Sequence, residues 1–216
     1  MVGGRDTAER GETYGGRSRE ERAAERRGRI MDAALRLFAA RDYDDVTVAD
    51  VCTLAKVSKR HFYEEFSDRD DLLHAVHRKQ NDWLLAGLTA AAPRDPAGLD
   101  DLLRPMMRAM VEMLHEHPDR ARVIYVNAPR MELRRRGLLR KDAELLGRAL
   151  RRALRRPKGR AADRVRQDRV LLALVAGVTE VVIDWLQRGM TDDRDLLVDH
   201  LTAIAAALLS ALEEAP

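Results

Sequence analysis

The sequence contains little of what disulfide-bonded, metal-clustered or membrane-spanning proteins need. Its 216 residues include a single cysteine, Cys52, which excludes an internal disulfide framework and any zinc module built from several cysteines. The longest strongly apolar run, Val170–Val178, is too short to span a bilayer, and the amino terminus lacks the apolar core of a secretory signal. We therefore expect a cytoplasmic protein with no membrane partner.

Strands are not predicted either, because aromatic residues are only 4% of the chain and no segment alternates convincingly between polar and apolar positions. Leu, Ala, Arg and Glu dominate instead, and all four favour helix. The composition and periodicity predict an all-α chain. A net charge of +3 is compatible with a polyanionic partner but does not require one.

Patterning divides the chain into three predicted parts. Residues 1–20 are Gly-rich and charged without periodicity, which predicts a flexible arm. Residues 21–67 read as a three-helix unit, and residues 68–216 as a larger helical unit. A long helix, capped by Ser67 or Asp68 and stopped by Pro93, joins them and would be roughly 35 Å long.

Two short helices joined by a tight turn are predicted before that long helix. Thr47 and Asp50 have the spacing of a capping box, and Ser58 is a good N-cap for the second short helix. Phe62 and Phe66 are four residues apart, so both can pack inward. The residues left exposed on this helix are Lys59, Arg60, His61 and Tyr63. Such an arrangement is typical of a helix-turn-helix, whose second helix enters the major groove of DNA.

The stretch TVADVCTLAKVSKRHFYEEFSDRDDLL resembles the amino-terminal module of the tetracycline-repressor (TetR) family of bacterial transcription regulators. The resemblance covers residues 22–73 and includes the A-x-V-S turn, the aromatic pair and the acidic Leu-Leu start of the fourth helix. It implies that residues 21–67 form a DNA-binding domain and that residues 68–216 form an effector-binding and dimerisation domain. It also implies phosphate contacts by Thr47, Tyr63 and Arg69. It also implies base-edge or phosphate contacts by Lys59, Arg60 and His61, while Ser58 favours phosphate at the helix start.

Lys56 departs from the family pattern, which usually has glycine at this turn because a left-handed residue tends to be needed there. A non-glycine residue costs about 1 kcal/mol in that conformation. Two interpretations stay open. Lys56 adds a cation that contacts DNA, or the turn differs slightly and the lysine has no role.

The two carboxy-terminal helices are predicted to form a dimer interface. The first is apolar nearly all round over its first half, and the second carries a broad leucine-rich stripe. The family resemblance implies a four-helix interface between two copies, and a monomeric core pair is the alternative. The predicted interface residues are Val175, Val178, Val182, Trp185, Leu201, Ile204 and Leu208.

An adaptable, largely apolar effector pocket is predicted in the same region. Its candidate lining residues are Trp83, Met106, Met110, Met113 and Tyr125, with Glu180 as a polar anchor. Ordinary core packing is the alternative for the methionines, and an exposed helix edge is the alternative for Glu180. The resemblance implies a small-molecule effector that releases a repressor from a pseudo-palindromic operator.

Other classes of function find less support in the residues. His74 and His77, and also His115 and His117, lack a third ligand at metal spacing, and neither a nucleophile signature nor a phosphate-binding glycine loop appears. We predict no catalytic activity, metal or cofactor. A helical protein-interaction adaptor remains the alternative. For the basic segment Arg130–Arg160, a solvated helix face competes with a secondary contact to nucleic acid or an anionic effector.

Overall fold

The computed structural model describes residues 18–127, 140, 143, 144, 147 and 161–212, and all regular structure within them is helical. The predicted all-α class is confirmed. The helices are α1 Arg19–Ala40, α2 Val48–Ala55, α3 Lys59–Glu65, α4 Arg69–Ala91, α5 Leu99–Glu116, α6 Pro118–Arg122, α7 Ala161–Gln187 and α8 Arg194–Ser210. The predicted arm falls almost wholly outside the described residues, as does most of the basic segment Arg130–Arg160.

Helix α1 begins at Arg19, ahead of Arg22, the residue at which the helical pattern starts in the sequence. The Ser18 hydroxyl accepts a hydrogen bond from the Glu21 amide at 3.0 Å, and the Glu21 carboxylate accepts one from the Ser18 amide at 2.7 Å. This reciprocal capping box satisfies two amides that the first turn would otherwise leave unpaired, so the helix starts at Arg19.

Two hydrophobic cores divide the described residues. The first core contains side chains of α1, α2, α3 and the beginning of α4, including Ile30, Phe38 and Val76. The second core is built by the end of α4 with α5, α7 and α8, and it includes Leu84 and Trp185. Helix α4 therefore contributes to both cores, and its 23 residues correspond to about 35 Å. The division at residues 67 and 68 stays a prediction.

A π-helical turn, Val123–Asn127, also contributes to both cores. Val123 is fully buried in the first core, whereas Ile124 and Tyr125 are buried in the second. On α4, His77 is 5% exposed and hydrogen-bonds the backbone of Ile124. Desolvation, opposed by this hydrogen bond, lowers the pKa of His77 to about 4, so the imidazole is neutral at physiological pH.

Helix α7 corrects one expectation from the sequence. Its segment Val165–Gln187 is long and apolar enough to cross a membrane by length and composition, with a mean hydropathy of 1.8. The expectation that no segment reaches this length, drawn from the run Val170–Val178, is wrong because scattered polar residues interrupt the run without lowering the mean much. A core helix of a soluble protein passes the same test, and α7 does place Leu174 and Trp185 in the second core.

Candidate nucleic-acid interface

The start of α2 is fixed by the predicted capping box, which is confirmed. The Thr47 hydroxyl accepts a hydrogen bond from the Asp50 amide at 3.1 Å. The Asp50 carboxylate accepts from the Thr47 amide at 2.9 Å and from its hydroxyl at 2.8 Å. These bonds, with the Arg41 guanidinium 3.5 Å away, hold the pKa of Asp50 below its ordinary value. The ionised carboxylate therefore stabilises the entry to the helix.

The turn between α2 and α3 has the left-handed conformation predicted at Lys56, whose φ is 54° and ψ is 49°. The Val57 amide donates to the Cys52 carbonyl at 3.0 Å, and the Lys56 amide donates to the Thr53 carbonyl at 3.3 Å. This pair of bonds is a Schellman motif, which satisfies the last carbonyls of α2. Lys56 is exposed, and its contact with DNA stays a prediction.

Helix α3 turns its rings inward and its cations outward, as the sequence predicts. The Ser58 hydroxyl caps the helix by accepting from the His61 amide at 3.2 Å. Phe62 and Phe66 are 0% and 1% exposed, and their ring centroids are 5.9 Å apart. Tyr63 is 57% exposed and packs edge-on against Phe62. Phe62 and Phe66 thus hold α3 against the first core.

Two arginines of α1 hold the carboxyl end of α3, and sequence reasoning missed them. Arg27 donates to the Glu65 carbonyl at 2.8 Å, and its guanidinium lies 4.2 Å from the centre of the Phe66 ring. Arg26 approaches the Glu65 carboxylate at 3.5 Å. A cation at a helix carboxyl end is favourable because unpaired carbonyls point toward it. No local pattern identifies this partnership, since Arg27 and Glu65 are 38 residues apart.

Arg60 is paired within its own helix. Its Nε donates to Glu64 Oε1 at 3.2 Å, and the two side chains are 86% and 43% exposed. The second oxygen of Glu64, Oε2, lies 4.0 Å from Nη2 of Arg26. Arg60, the most exposed cation of this ion-pair group, is therefore paired with Glu64, which also faces Arg26 of α1.

Arg69, a predicted phosphate contact, also bonds the backbone of its own chain. Its Nη1 donates to the carbonyls of Val46 at 2.7 Å, Tyr43 at 3.1 Å and Asp44 at 3.4 Å, and its guanidinium lies 4.0 Å from the Tyr43 ring centre. This half-buried side chain anchors the loop before α2 to the start of α4. All three bonds use Nη1, so they do not test a phosphate contact by the rest of the guanidinium, and that contact stays a prediction.

The other predicted contact residues are all exposed. They are Thr47, Lys56, Ser58, Lys59, Arg60, His61 and Tyr63, and together we call them the reading face. The reading face runs from the start of α2 through the turn and along α3. It offers ammonium, guanidinium, imidazole and hydroxyl groups, which pair with phosphate oxygens and with base edges.

The predicted effector residues do not share one environment. Met106, Met110 and Tyr125 are buried in the second core, where the Tyr125 hydroxyl lies 3.9 Å from the Met110 sulfur. Met113 is half-buried and packs on Gly87, where an added Cβ would lie 2.2 Å from the Met113 sulfur and would displace the end of that side chain. Half-buried Trp83 has a guanidinium 4.4 Å from its ring centre and an imidazole ring at 5.2 Å. Those partners are Arg120 and His117.

Glu180 is exposed on α7. Its predicted role as a polar anchor inside the pocket therefore has no support in the geometry. The exposed helix edge, which was the alternative at this position, describes what the structure shows.

The predicted dimer residues separate by burial. Val182, Trp185 and Leu201 are 0% exposed within the second core of their own chain, so they have no surface left for a partner. The remaining four are half-buried: Val175, Val178, Ile204 and Leu208. Any interface formed by α7 and α8 must therefore use these four residues and their exposed neighbours.

The histidine pairs do not form a metal site within the part of the chain that the structure describes. No group of three His, Cys, Asp or Glu side chains comes together there in a way that could hold a metal ion. His77 is buried against the π-helical turn, while His115 and His117 are exposed. The geometry gives no support to a histidine-dependent enzyme.

A helix-turn-helix with capped helices and cations exposed on its second helix is typical of DNA-binding transcription regulators. Residues 30–76 match the family described as bacterial regulatory proteins, tetR family. Over 186 residues the chain is 28% identical to the HTH-type transcriptional activator FasR of Mycolicibacterium smegmatis, covering 86% of this chain and 84% of FasR. The amino-terminal module of the chain therefore matches the TetR family of transcription regulators, as the sequence motif predicted.

Solved structures agree on the fold. A TetR-family transcriptional regulator from Streptomyces coelicolor superposes with a TM-score of 0.68 and 21% identity, covering 88% of this chain and 82% of that one. The regulator FadR of Bacillus subtilis, solved in complex with stearoyl-CoA, gives a TM-score of 0.58 and 16% identity, with coverage of 83% and 97%. TetR-family members are soluble DNA-binding regulators and the family is not one of enzymes.

Proposed function

We propose that this regulator acts in the cytoplasm as a homodimer, binds a pseudo-palindromic DNA operator through the reading face, and is released from it by a largely apolar small molecule. The observation that supports this most is the construction of α3. Phe62 and Phe66 fix the helix while Lys59, Arg60 and His61 remain exposed at its amino end. The amino end of the second helix is the part of a helix-turn-helix that contacts base edges.

The DNA-binding proposal is tested by selecting ligands from a pool of random-sequence duplexes with the full chain. We expect enrichment of a two-fold symmetric site. Arg60→Ala and Lys59→Ala should each weaken binding by about 5- to 150-fold per half-site, the range for losing one well-formed base contact. Lys79→Ala is the matched control, because Lys79 is exposed on α4 and pairs with Asp32 away from the reading face.

Two results would contradict the DNA-binding proposal or the residues assigned to it. If the wild-type chain enriches no duplex and shifts none at low salt, it does not act through DNA, and a protein-binding adaptor becomes the better explanation of α3. If both alanine variants bind as tightly as the wild type, Lys59 and Arg60 do not contact the operator.

The homodimer is supported by the uncovered surface of α7. Only 22% of its most apolar window is buried, although its mean hydropathy is 1.8. Val165 at the start of α7 and Leu196 on α8 are more than half exposed, at 51% and 52%. Apolar surface of this kind on a soluble protein marks an interaction site. A two-fold dimer would also place two copies of α3 about 34 to 36 Å apart, one turn of DNA.

Sedimentation at micromolar concentration tests the dimer. Val175→Glu and Ile204→Glu place a charge at half-buried interface positions and should yield monomers, whereas Ala86→Glu and Ala90→Glu, at exposed positions of α4 outside the proposed interface, should remain dimeric. Far-ultraviolet circular dichroism of each variant checks that the helices are retained. A wild-type chain that sediments as a monomer would rule out the proposed interface.

A long-chain acyl thioester is the effector class we propose. Met106, Met110 and Tyr125 give the second core polarisable and aromatic side chains that adapt to an apolar chain. The structurally similar FadR of Bacillus subtilis was solved with stearoyl-CoA. Entry of such a ligand beside α4 provides a lever, because tilting a helix of about 35 Å by about 5 to 10° moves its far end by roughly 3 to 6 Å.

Intrinsic fluorescence tests this proposal, because the chain has only two tryptophans, Trp83 and Trp185. Stearoyl-CoA should saturably change the emission of the wild type, while free coenzyme A should not. Trp83→Phe and Trp185→Phe separate the two signals and show which tryptophan reports the ligand. The same titration in the presence of the selected duplex should release DNA; no spectral change and no release would exclude this effector class.

Release by the effector would make the protein a repressor wherever the operator overlaps a promoter. The similar FasR of Mycolicibacterium smegmatis is named an activator. A reporter gene that carries the selected duplex at the promoter, and then upstream of it, distinguishes the two. We expect repression at the promoter position that is relieved by the effector.

A further inference from the structure

Two polar atoms of α7 and α8 are enclosed in the second core without a hydrogen-bond partner among the described residues. They are Nε1 of Trp185 and Oγ1 of Thr202. Trp185 is fully buried, and Thr202 is 1% exposed. An unpaired buried donor destabilises a folded protein, and native structures pair the great majority of such groups. These two atoms are therefore candidates for pairing with a bound ligand.

The hydroxyl of Thr202 differs from other threonine hydroxyls of the chain. A threonine within a helix commonly donates to the carbonyl four residues earlier. Thr53 donates in this way to Ala49 at 2.8 Å, and Thr89 donates to Leu85 at 2.7 Å. Thr202 also lies inside a helix, but its hydroxyl makes no such bond. Its proton is therefore left for a partner outside α8.

Trp185 and Thr202 lie in the same core as the methionines proposed to admit the effector. Val198 and Ala205, four residues before and three residues after Thr202, both belong to the second core, as does Trp185 itself. Met106 belongs to this core from α5, the helix that packs along α8. Methionine side chains are unbranched and adapt to an apolar chain. A ligand admitted here would therefore lie among apolar side chains that surround one indole N–H and one hydroxyl.

Three other buried polar atoms lack a partner among the described residues, but they do not indicate the same ligand. They are Nε of Arg26, Oη of Tyr43 and Oε1 of Gln80. Arg26 is held through its Nη2 by Glu65 at 3.5 Å, and the Tyr43 ring lies 4.0 Å from the guanidinium of Arg69, both around the first core. Gln80 Oε1 can only accept a hydrogen bond, so its partner has to be a donor.

We propose that Trp185 and Thr202 are the polar recognition groups of the effector site and donate hydrogen bonds to the carbonyl oxygen of the acyl thioester. The indole N–H can only donate, and a threonine hydroxyl can donate as well. A carbonyl oxygen has two lone pairs and can accept from both. A small number of polar groups commonly fixes the orientation of a ligand in an apolar site. This assignment rests on the proposed effector class and adds which atom of the ligand is recognised.

Two ligands that differ only at this atom test the proposal. They are stearoyl-CoA and octadecyl-CoA, a thioether in which a methylene replaces the carbonyl. Isothermal titration of the full chain, below the micellar concentration of either ligand, should show the thioether binding about 5- to 150-fold more weakly. In Trp83→Phe, Trp185 is the one remaining tryptophan. Its resonance Raman band for the indole N–H should shift to the hydrogen-bonded position with stearoyl-CoA and not with octadecyl-CoA.

Thr202→Val replaces the hydroxyl by a methyl group of similar size. It should weaken binding of stearoyl-CoA by about 2- to 12-fold and leave binding of octadecyl-CoA unchanged. It should also raise the thermal midpoint of the ligand-free protein by about 2 to 4 °C, because an unpaired buried hydroxyl is removed. Thr89→Val is the matched control, since its exposed hydroxyl already bonds its own helix, and it should leave the ratio of the two affinities unchanged.

Four results would overturn the assignment while leaving the effector class intact. They are equal affinity for the two ligands, an indole band that does not shift with stearoyl-CoA, an unchanged affinity ratio in Thr202→Val, and a lower thermal midpoint in that variant. The last would show that the hydroxyl is already paired in the ligand-free protein. A wild-type chain that does not bind stearoyl-CoA would instead overturn the proposed effector class, and the assignment with it.

Discussion

The two cores differ in how their helices begin and in how completely their apolar surfaces are covered. Around the first core, α1, α2, α3 and α4 each start with a side-chain cap, provided by Ser18, Thr47, Ser58 and Asp68. Around the second core, Asp193 caps α8, but α5 and α6 start without a side-chain cap and most of α7 is not buried. A module that presents a rigid face must satisfy its own polar ends and bury its own rings. The region proposed to receive a ligand and a partner copy leaves apolar surface uncovered.

Removing Phe62 should break the first core most severely. Phe62→Ala deletes a ring that is 0% exposed, and we expect the free energy of unfolding to fall by about 3 to 5 kcal/mol. Urea denaturation followed by circular dichroism measures this loss. The control is Tyr63→Ala, whose ring is 57% exposed and whose loss should cost about 0.5 kcal/mol or less. Similar losses in the two variants would contradict the inward placement of Phe62.

Lowering the pH should reduce the free energy of unfolding through His77, which lies at the junction between the two cores. Its pKa is lowered to about 4, so protons bind the unfolded chain more readily. The neutral imidazole's contribution is present above pH 6.5 and is lost as pH falls toward 4; it amounts to roughly 3 kcal/mol. Comparing the unfolding free energy of wild type and His77→Gln across pH 4 to 7 isolates this contribution from the carboxylates. Parallel pH profiles would show that His77 is not buried in its neutral form.

Loosening the loop before α2 should have a smaller effect. Arg69→Ala leaves three carbonyls without their charged donor, and we expect a loss of about 1.5 to 3 kcal/mol. Arg69→Lys keeps one charge without the planar geometry and should be intermediate. Chemical denaturation measures both. If Arg69→Ala weakens DNA binding but leaves stability unchanged, the side chain contacts phosphate after all.

The smallest predicted change is a gain in stability. Lys56 has a φ of 54°, and glycine at this position should stabilise the turn by up to about 1 kcal/mol. Lys59→Gly is the control, because it places glycine at the start of a helix and should lower stability by up to about 1 kcal/mol. A shift of the thermal midpoint in the same direction for both variants would show that the left-handed turn is not the cause.

Local chemistry made the first core predictable. Capping side chains lie three residues from the amides they satisfy, as in Thr47 with Asp50, and Phe62 and Phe66 reveal their shared face by their spacing. Such relations fall within one or two helical turns, which a sequence pattern records directly.

The features that sequence reasoning missed depend on distant partners. Arg27 meets the end of α3 across 38 residues, and Arg69 reaches carbonyls 23 to 26 residues earlier. In the second core, periodicity identified the apolar faces of α7 and α8, but it could not show which face their own chain covers. Val182 and Leu201 were therefore predicted at an interface, whereas both are buried within the monomer.

The π-helical turn has a consequence for engineering chimeric regulators. Val123 fills the first core from a position beyond α5, while its neighbours Ile124 and Tyr125 fill the second. A fragment that ends with α4 would carry the whole reading face but would lack the side chain that closes its interior. A chimeric regulator that takes its DNA-binding module from this chain therefore needs residues 118–127 as well. Otherwise another side chain has to fill the space that Val123 occupies.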